Sequence, residues 1–430
     1  MLSRLFRLVL LLTFLGAAPA VWASPLDQAE QLIQSGDLDA ALAVLDAYQP
    51  TTIEDEERSL WARAVAYSQQ NRPRAALPQL ERLVTLKPAS ARYRLNLAAV
   101  LAEVGQDDRA RYHYELLRGS TDAPEITNSL DQHIDALDRR RSWEGHFNFA
   151  IVPESNAGKR TAAETIVIGG LPFVINPNAR AKAATGARVG FGGAWLPWVA
   201  PNTRARLGLS FDGSVYQDGA APRDITLAAQ MGLLNFGDRG RRISGTLHIA
   251  QRWLNDTAYT TTTGLSLGYV KNIGTAGVVS VNARHQQIAF DQVGLPSVRE
   301  TLLMGRYTYN LSPQFQLYVG GAVGGRTSSS ATEAGQRAEL SFGGQYLFQG
   351  GLQVGLDLQA GQMERDGITP LFGLTREDTT RSATIRIMNR NWSLSGFAPV
   401  LELGFEQRKS NIAIYSYDNQ RVSLGLTRRF

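Results

Sequence analysis

Residues 351–362 read GLQVGLDLQAGQ, and the alternation in that stretch decides the architecture. Leu352, Val354, Leu356, Leu358 and Ala360 fall on one face, and Gln353, Gly355, Asp357, Gln359 and Gly361 fall on the other. A period of two specifies a β-strand with one apolar and one polar side. The same pattern recurs in RISGTLHIAQRW (242–253), RAELSFGGQYLF (337–348) and PQFQLYVGGAVGG (313–325). These segments run for about 10–15 residues, longer than the ~5–6 of soluble strands and long enough to cross a bilayer at a tilt.

Worked outward from there, the alternation spans residues 143–430 and divides into about fourteen strands, the even number a closed bacterial barrel requires. The first is expected near 144–152 and the last near 416–430, with a very long connection at 153–182. Connections alternate between generous (363–376, 326–334, 409–415) and short (FGDRGR, KNIGT, NLSPQ, FQGG). Long outer loops and short inner turns have this rhythm. Aromatics near strand ends, among them Trp195, Trp198, Trp253, Phe290, Tyr307, Tyr309, Phe348, Trp392 and Tyr417, suit interfacial belts. The ending RVSLGLTRRF (421–430) alternates to the last residue, with Val422, Leu424, Leu426 and Phe430 on one face. It reads as a closing strand, Phe430 being the terminal aromatic that outer-membrane insertion machinery would recognise, because an open edge in lipid leaves backbone groups unpaired.

Upstream the period is helical. SGDLDAALAVLDAY (35–48), QNRPRAALPQLERL (70–83) and EVGQDDRARYHYELL (103–117) place Gly36, Asn71 and Gly105 at equivalent turns. Ala41, Ala76 and Ala110 follow five positions later, where a small side chain lets two helices cross closely, and Leu45, Leu80 and Tyr114 fill the next packing position. The spacing matches the ~34 residues of a tetratricopeptide repeat; a plain helical bundle is the alternative. Such repeats bind peptides or proteins on a concave surface, and Arg63, Tyr67, Tyr93 and Asn96 are the candidate client contacts. The amphipathic stretch 126–141 is expected to cap the stack.

The start, MLSRLFRLVLLLTFLGAAPAVWASP, has the basic, apolar and small-residue parts of a secretory signal ending near Ala23. The expected organisation is therefore a signal peptide at 1–23, a periplasmic helical domain at 24–142 and an outer-membrane barrel at 143–430. The net charge of +5, without long basic runs, argues against nucleic acid as a partner. The absence of cysteine excludes disulfides, thiolate metal sites and an N-terminal lipidated cysteine. There are five histidines, and His248 and His285 fall on non-neighbouring strands, so no paired Ser/His arrangement marks a hydrolase. GFGGAW (190–195) is followed by no helix and is read as glycines relieving crowding inside a barrel rather than as a nucleotide loop. No cofactor or metal is expected.

Three features together resemble the surface lipoprotein assembly modulators, the Slam family. They are the order of signal, repeats and barrel; Pro153-Glu154-Ser155-Asn156 within WEGHFNFAIVPESNAGKR; and Ser410-Asn411-Ile412 within the ending PVLELGFEQRKSNIAIYSYDNQRVSLGLTRRF. The resemblance covers nearly the whole mature chain. It implies a factor that binds client lipoproteins or secreted proteins in the periplasm of a Gram-negative bacterium and moves them to the surface, without nucleotide or covalent chemistry. Since the first and last strands of a closed barrel are neighbours, the loops with Ser155, Asn156, Ser410 and Asn411 should meet at the outer rim. Either the Asn side chains form a polar clasp across the seam or each shapes its own turn. A polysaccharide exporter or porin-like channel is the alternative function. Its pore should carry many like charges, whereas the expected inward positions mix Asp212, Arg252, Glu339, Asp357, Glu402 and Glu406 with small polar residues.

Overall fold

The structure, a computed structural model of the 430-residue chain, describes residues 24–119, 121, 123–238, 240–348, 351–389, 392 and 397–429. The expected signal peptide and the terminal Phe430 lie outside the described residues. The chain divides into two compact units, one through His113 and one from Tyr114 onward.

The helices are α1 (Pro25–Ser35), α2 (Leu38–Ala47), α3 (Ile53–Gln69), α4 (Pro73–Leu86), α5 (Ala91–Glu103), α6 (Asp107–Arg118) and α7 (Pro124–Arg140). Four starts are set by side-chain caps: Ser24 with Asp27 forms a reciprocal capping box, and Asp37, Thr52 and Ser90 each accept from a backbone N–H in the first turn. Gly36, Asn71 and Gly105 all adopt left-handed φ, at 87°, 58° and 79°, so the three equivalent positions share one turn conformation. Ala41, Ala76 and Ala110 are completely buried. Leu26, Ala29, Leu42, Leu45, Ala62, Val65 and Ala66 form the core joining α1 to α3.

From Trp143 the chain is β. The strands are β1 (Trp143–Glu154), β2 (Thr165–Ile168), β3 (Leu171–Val174), β4 (Ala184–Trp195), β5 (Trp198–Ala200), β6 (Thr203–Tyr216) and β7 (Asp224–Phe236). They continue as β8 (Arg242–Leu254), β9 (Thr257–Ile273), β10 (Gly277–Phe290), β11 (Val298–Asn310) and β12 (Phe315–Ser328). The last are β13 (Gly335–Leu347), β14 (Leu352–Thr369), β15 (Leu374–Asn389), β16 (Ala398–Ser410) and β17 (Tyr417–Arg429). Each long strand pairs antiparallel with its sequence neighbours, and β1 pairs with both β4 and β17, so fourteen strands close into a ring. β5 adds only a short pairing beside β6, and β2 with β3 forms a separate hairpin inside the long first connection.

Side chains on the outer wall are apolar and bare: Leu209, Leu247, Val323, Leu340 and Leu424 are all more than half exposed. In water such a surface would aggregate; hydrocarbon is the solvent that matches it. The apolar height varies around the ring. On β6 it runs from Ala205 to Val215, whereas on β9 and β10 the unbroken apolar run is limited to Leu265, Leu267, Tyr269, Val279, Val281 and Ala283, bounded on the same face by Thr263, Lys271, His285 and Gln287, with Ile273 and Ala289 standing apart beyond them. At the end where the chain enters from α7, here the near rim, aromatics cluster: Trp143 stacks on Trp195 and Tyr346 packs against Phe348 at 4.7 Å. Phe290 and Tyr417 do not join a belt; strand parity turns both inward, Phe290 lining the lumen and the Tyr417 hydroxyl bonding Glu406. GFGGAW lies on β4, where a Cβ on Gly190 would stand 2.6 Å from the Asn148 amide, so the glycine there makes room for lumenal side chains.

Candidate functional site: the barrel seam and its two rims

β1 and β17 meet in an incomplete ladder. Pairs run from His146↔Arg429 to Ile151↔Leu424, then skip to Glu154↔Arg421. Pro153 lies in the gap and has no N–H to give. Beyond it, at the far rim, side chains take over. Ser155 N–H donates to Gln420 O and Ser155 Oγ accepts from Gln420 N–H, both at 2.8 Å. Asn156 is 2% exposed; its Nδ2 donates to the carbonyls of Arg160 (2.7 Å) and Asp418 (3.1 Å), and its Oδ1 accepts from Arg160 N–H at 3.0 Å. Its own N–H donates to Asn419 Oδ1 at 3.0 Å. Asn419 in turn donates to Glu154 Oε2 at 2.6 Å, and the other Glu154 oxygen accepts from Arg188 and from the Tyr216 hydroxyl. The network thus joins β17, β1, β4 and β6. An amide is suited to the Asn156 position because it donates and accepts at once.

Ser410 and Asn411 lie one strand further round. Asn411 bonds β15: Oδ1 accepts from Glu377 N–H (2.9 Å) and Nδ2 donates to Thr375 O (2.7 Å). Ser410 shapes its own loop, its N–H donating to Ser416 Oγ at 2.9 Å and its Oγ accepting from Ile412 N–H. The two loops meet through other groups: Thr161 Oγ1 donates to Ala413 O at 3.0 Å, and Lys159 pairs with Glu406 at 2.6 Å. Thr161, Arg188, Tyr216 and Asn419 escaped the sequence reading. Parity alone would have put Arg188, Tyr216 and Asn419 on the lumenal face with Glu154.

At the near rim, the end of α6 and α7 bond to the barrel. The Arg118 guanidinium, 7% exposed, donates to Asp131 (2.6 Å) and to the carbonyls of Gly274 and Thr275 (both 2.9 Å) in the β9–β10 turn. Asn310 at the end of β11 donates to Glu115 O at 3.0 Å. At the other end of α7, Arg204 is 2% exposed, donates to Arg139 O at 2.6 Å and lies 4.1 Å from the Trp198 ring. The end of α6 is therefore fastened at β9–β11, and α7 at β5–β6 directly and at β9 through Asp131, which accepts from Arg118 and, at 3.4 Å, from Asn272. Between the rims the lumen wall mixes signs: Asp224 holds Arg252 through two bonds, Arg386 pairs with Glu402 at 2.7 Å, and Asp357 accepts from Tyr318.

In the first unit, Arg63 bonds Asp46 and Leu45 O, Tyr67 packs on the α1–α3 core under Arg72, and Asn96 donates to Arg92 O at 2.9 Å. Tyr93 lies beside Trp61 at 5.4 Å and donates to Glu57 at 2.7 Å; burial, with the Glu57 carboxylate second, pushes its hydroxyl from 10.0 up to about 12. The neutral phenol is favoured in the fold, so its contribution is complete below pH 10 and lost as pH rises towards 12. Tyr93→Phe is expected to cost about 1 kcal/mol at neutral pH and to remove that alkaline step, read by thermal melts of the full chain across pH.

A family model described as surface lipoprotein assembly modifier matches residues 143–430. Surface lipoprotein assembly modifier 1 of Haemophilus influenzae is 22% identical over 407 residues, covering 91% of this chain and 82% of that protein. The protein of the same name from Neisseria meningitidis serogroup B is 22% identical over 422 residues, covering 93% of this chain and 81% of its own length. Among solved structures, OmpT of Vibrio cholerae has a TM-score of 0.38 at 7% identity, covering 67% of this chain and 100% of that one. A bacterial polysaccharide outer membrane secretin has a TM-score of 0.37 at 11% identity, covering 66% and 98%.

Proposed function

The chain belongs to the surface lipoprotein assembly modifier family, and from that premise we propose that it receives client lipoproteins or secreted proteins in the periplasm and promotes their delivery to the cell surface. The observation that carries this reading is the match of the family model over the barrel part, residues 143–430, together with relatives that align over about nine-tenths of the chain. The near rim then faces the periplasm and the far rim faces outward. The helical unit offers the client a surface that includes Trp61, Arg63, Tyr67, Arg92 and Asn96, with the Arg92 guanidinium 4.0 Å from the Trp61 ring, while Tyr93 is buried behind Trp61 and supports that surface rather than lining it. The strapped helix α7 holds the entrance in fixed geometry. The Ser155–Asn156 clasp keeps the seam shut at the outer rim while a client passes. No bond chemistry is assigned to the chain; its partners are the client, outer-membrane lipid and, during biogenesis, the insertion machinery.

Deleting the protein in its native cell, followed by surface labelling and mass spectrometry of surface and medium, tests the reading. Loss of one or two particular proteins, restored by the wild-type chain, is the expected result. An unchanged protein profile with altered surface carbohydrate or solute uptake would overturn it in favour of an exporter or channel.

A further inference from the structure

The first connection leaves β1 at the far rim and carries the hairpin β2–β3, sequence TIVIGGLPFV (165–174). Gly169 and Gly170, at φ 58° and 83°, make the two-residue turn that such a hairpin needs. Its base is tied down: Ile175 N–H donates to Glu164 O (2.8 Å), Arg180 pairs with Glu164 (2.9 Å), Arg160 donates to Asn178 O (2.6 Å), and Thr161 reaches Ala413. The hairpin itself is bare on both faces, with Val167, Leu171, Phe173 and Val174 exposed by 64, 64, 47 and 81%. From Thr165 to Ala179 there is no charged residue.

The two edges of the hairpin differ. Ile168↔Leu171 flank the turn, and the Ile175–Glu164 bond fixes the same phase further down, so Ile166 and Ile168 bond across the hairpin. Thr165 and Val167 therefore point their N–H and C=O groups away from β3, and among the described residues these groups meet no backbone partner. On the opposite edge Pro172 has no N–H, which blunts that side against pairing. One edge is closed and one is open. Immersion in hydrocarbon would cover the side chains but leave the Thr165 and Val167 backbone groups unpaired, which lipid penalises heavily. An added strand satisfies both, and the absence of charge over 165–179 selects a strand that is itself uncharged there.

We propose that the 165–168 edge of this extracellular hairpin is a docking site for an extended, uncharged strand of the emerging client, which pairs with Thr165 and Val167 by strand addition. The identity of that partner as a client rests on the translocation reading, continuous with the outer mouth from which the loop springs; the open edge does not.

The test uses the full chain in two arms. In detergent, a fluorescent, uncharged hexapeptide of alternating Thr and Val should bind the wild type, and Val167→Pro, which removes one edge N–H without touching a hairpin bond, should weaken it about tenfold or more. In cells, Val167→Pro and the gatekeeper change Val167→Lys should each cut surface display of the client identified by deletion about fivefold, with unchanged folded barrel. A photo-crosslinker at Val174 should trap that client. Val167→Lys decides the matter if Val167→Pro lowers barrel levels. Peptide binding that ignores both substitutions overturns the edge. Undiminished display, or crosslinks only to lipid or to a second copy, overturns the client as its partner. If no client is found by deletion, the translocation reading fails and the peptide arm still decides the edge.

Discussion

Asn156→Ala is expected to lower the stability of the folded barrel by about 3 kcal/mol, since it removes a buried amide whose three bonds hold backbone groups of Arg160 and Asp418. The check is the midpoint of heat- or denaturant-driven loss of the compact band on gels of detergent-solubilised protein. Asn411→Ala is the comparison. The Asn411 side chain makes two bonds against three for Asn156, and it is exposed and serves a complete β15–β16 ladder, so about 1 kcal/mol is expected. The difference arises from the ladder gap at Pro153, which leaves Asn156 and Ser155 as the fastening of the outer seam. Equal losses at the two positions would mean that the clasp is no more than two ordinary turns.

Arg118→Ala is the second large effect. It removes a buried guanidinium that joins α6 to Asp131 of α7 and to two carbonyls of the β9–β10 turn, and it leaves Asp131 without its main counter-charge. A loss of about 3–4 kcal/mol is expected for breaking a buried pair from one side, concentrated in the strap. Amide exchange and limited proteolysis should show α7 protection collapsing while the barrel strands keep theirs. Arg118→Lys should recover less than half, because a single ammonium cannot span a carboxylate and two carbonyls in the planar spread of a guanidinium. Uniform loss of protection over barrel and strap together would remove the local role.

The barrel was legible because one wall of every strand faces hydrocarbon, which forces the period-two pattern to persist through stretches such as 351–362 and 421–429. Parity placed Asp212, Glu339, Asp357, Glu402 and Glu406 inward without any structural knowledge. Parity does not say how far one strand slides past the next, and that slide decides the far rim. It brings Asn156 to the 418–420 stretch and Asn411 to β15, so motifs that look equivalent in sequence fasten different strands. The hairpin β2–β3 was hidden for another reason: four-residue strands inside a long connection give too short a run for periodicity to register. The helix α7 shows the amphipathic stripe that sequence can see, but its rim contacts run through Arg118, Arg204 and Trp198, whose roles depend on residues over a hundred positions away or on chance adjacency in the ring.

The uneven height of the apolar wall has a consequence for the lipid. A bilayer meeting β6 finds six outward apolar positions before polar residues begin, while beside β9 and β10 it finds three on each strand. Acyl chains cannot end at two depths around one rigid ring without the leaflet bending, and each ångström of mismatch costs a fraction of a kcal/mol. A lean that sinks the β4–β7 side and raises the β9–β10 side would bring the outer ends of the two apolar bands to one depth, so the expectation is an axis that departs from the membrane normal in a fixed direction. With that lean the first connection, rooted between β1 and β4, would sit on the lowered side, close to the headgroups, and the loops beyond β9 and β10 would stand furthest from the cell.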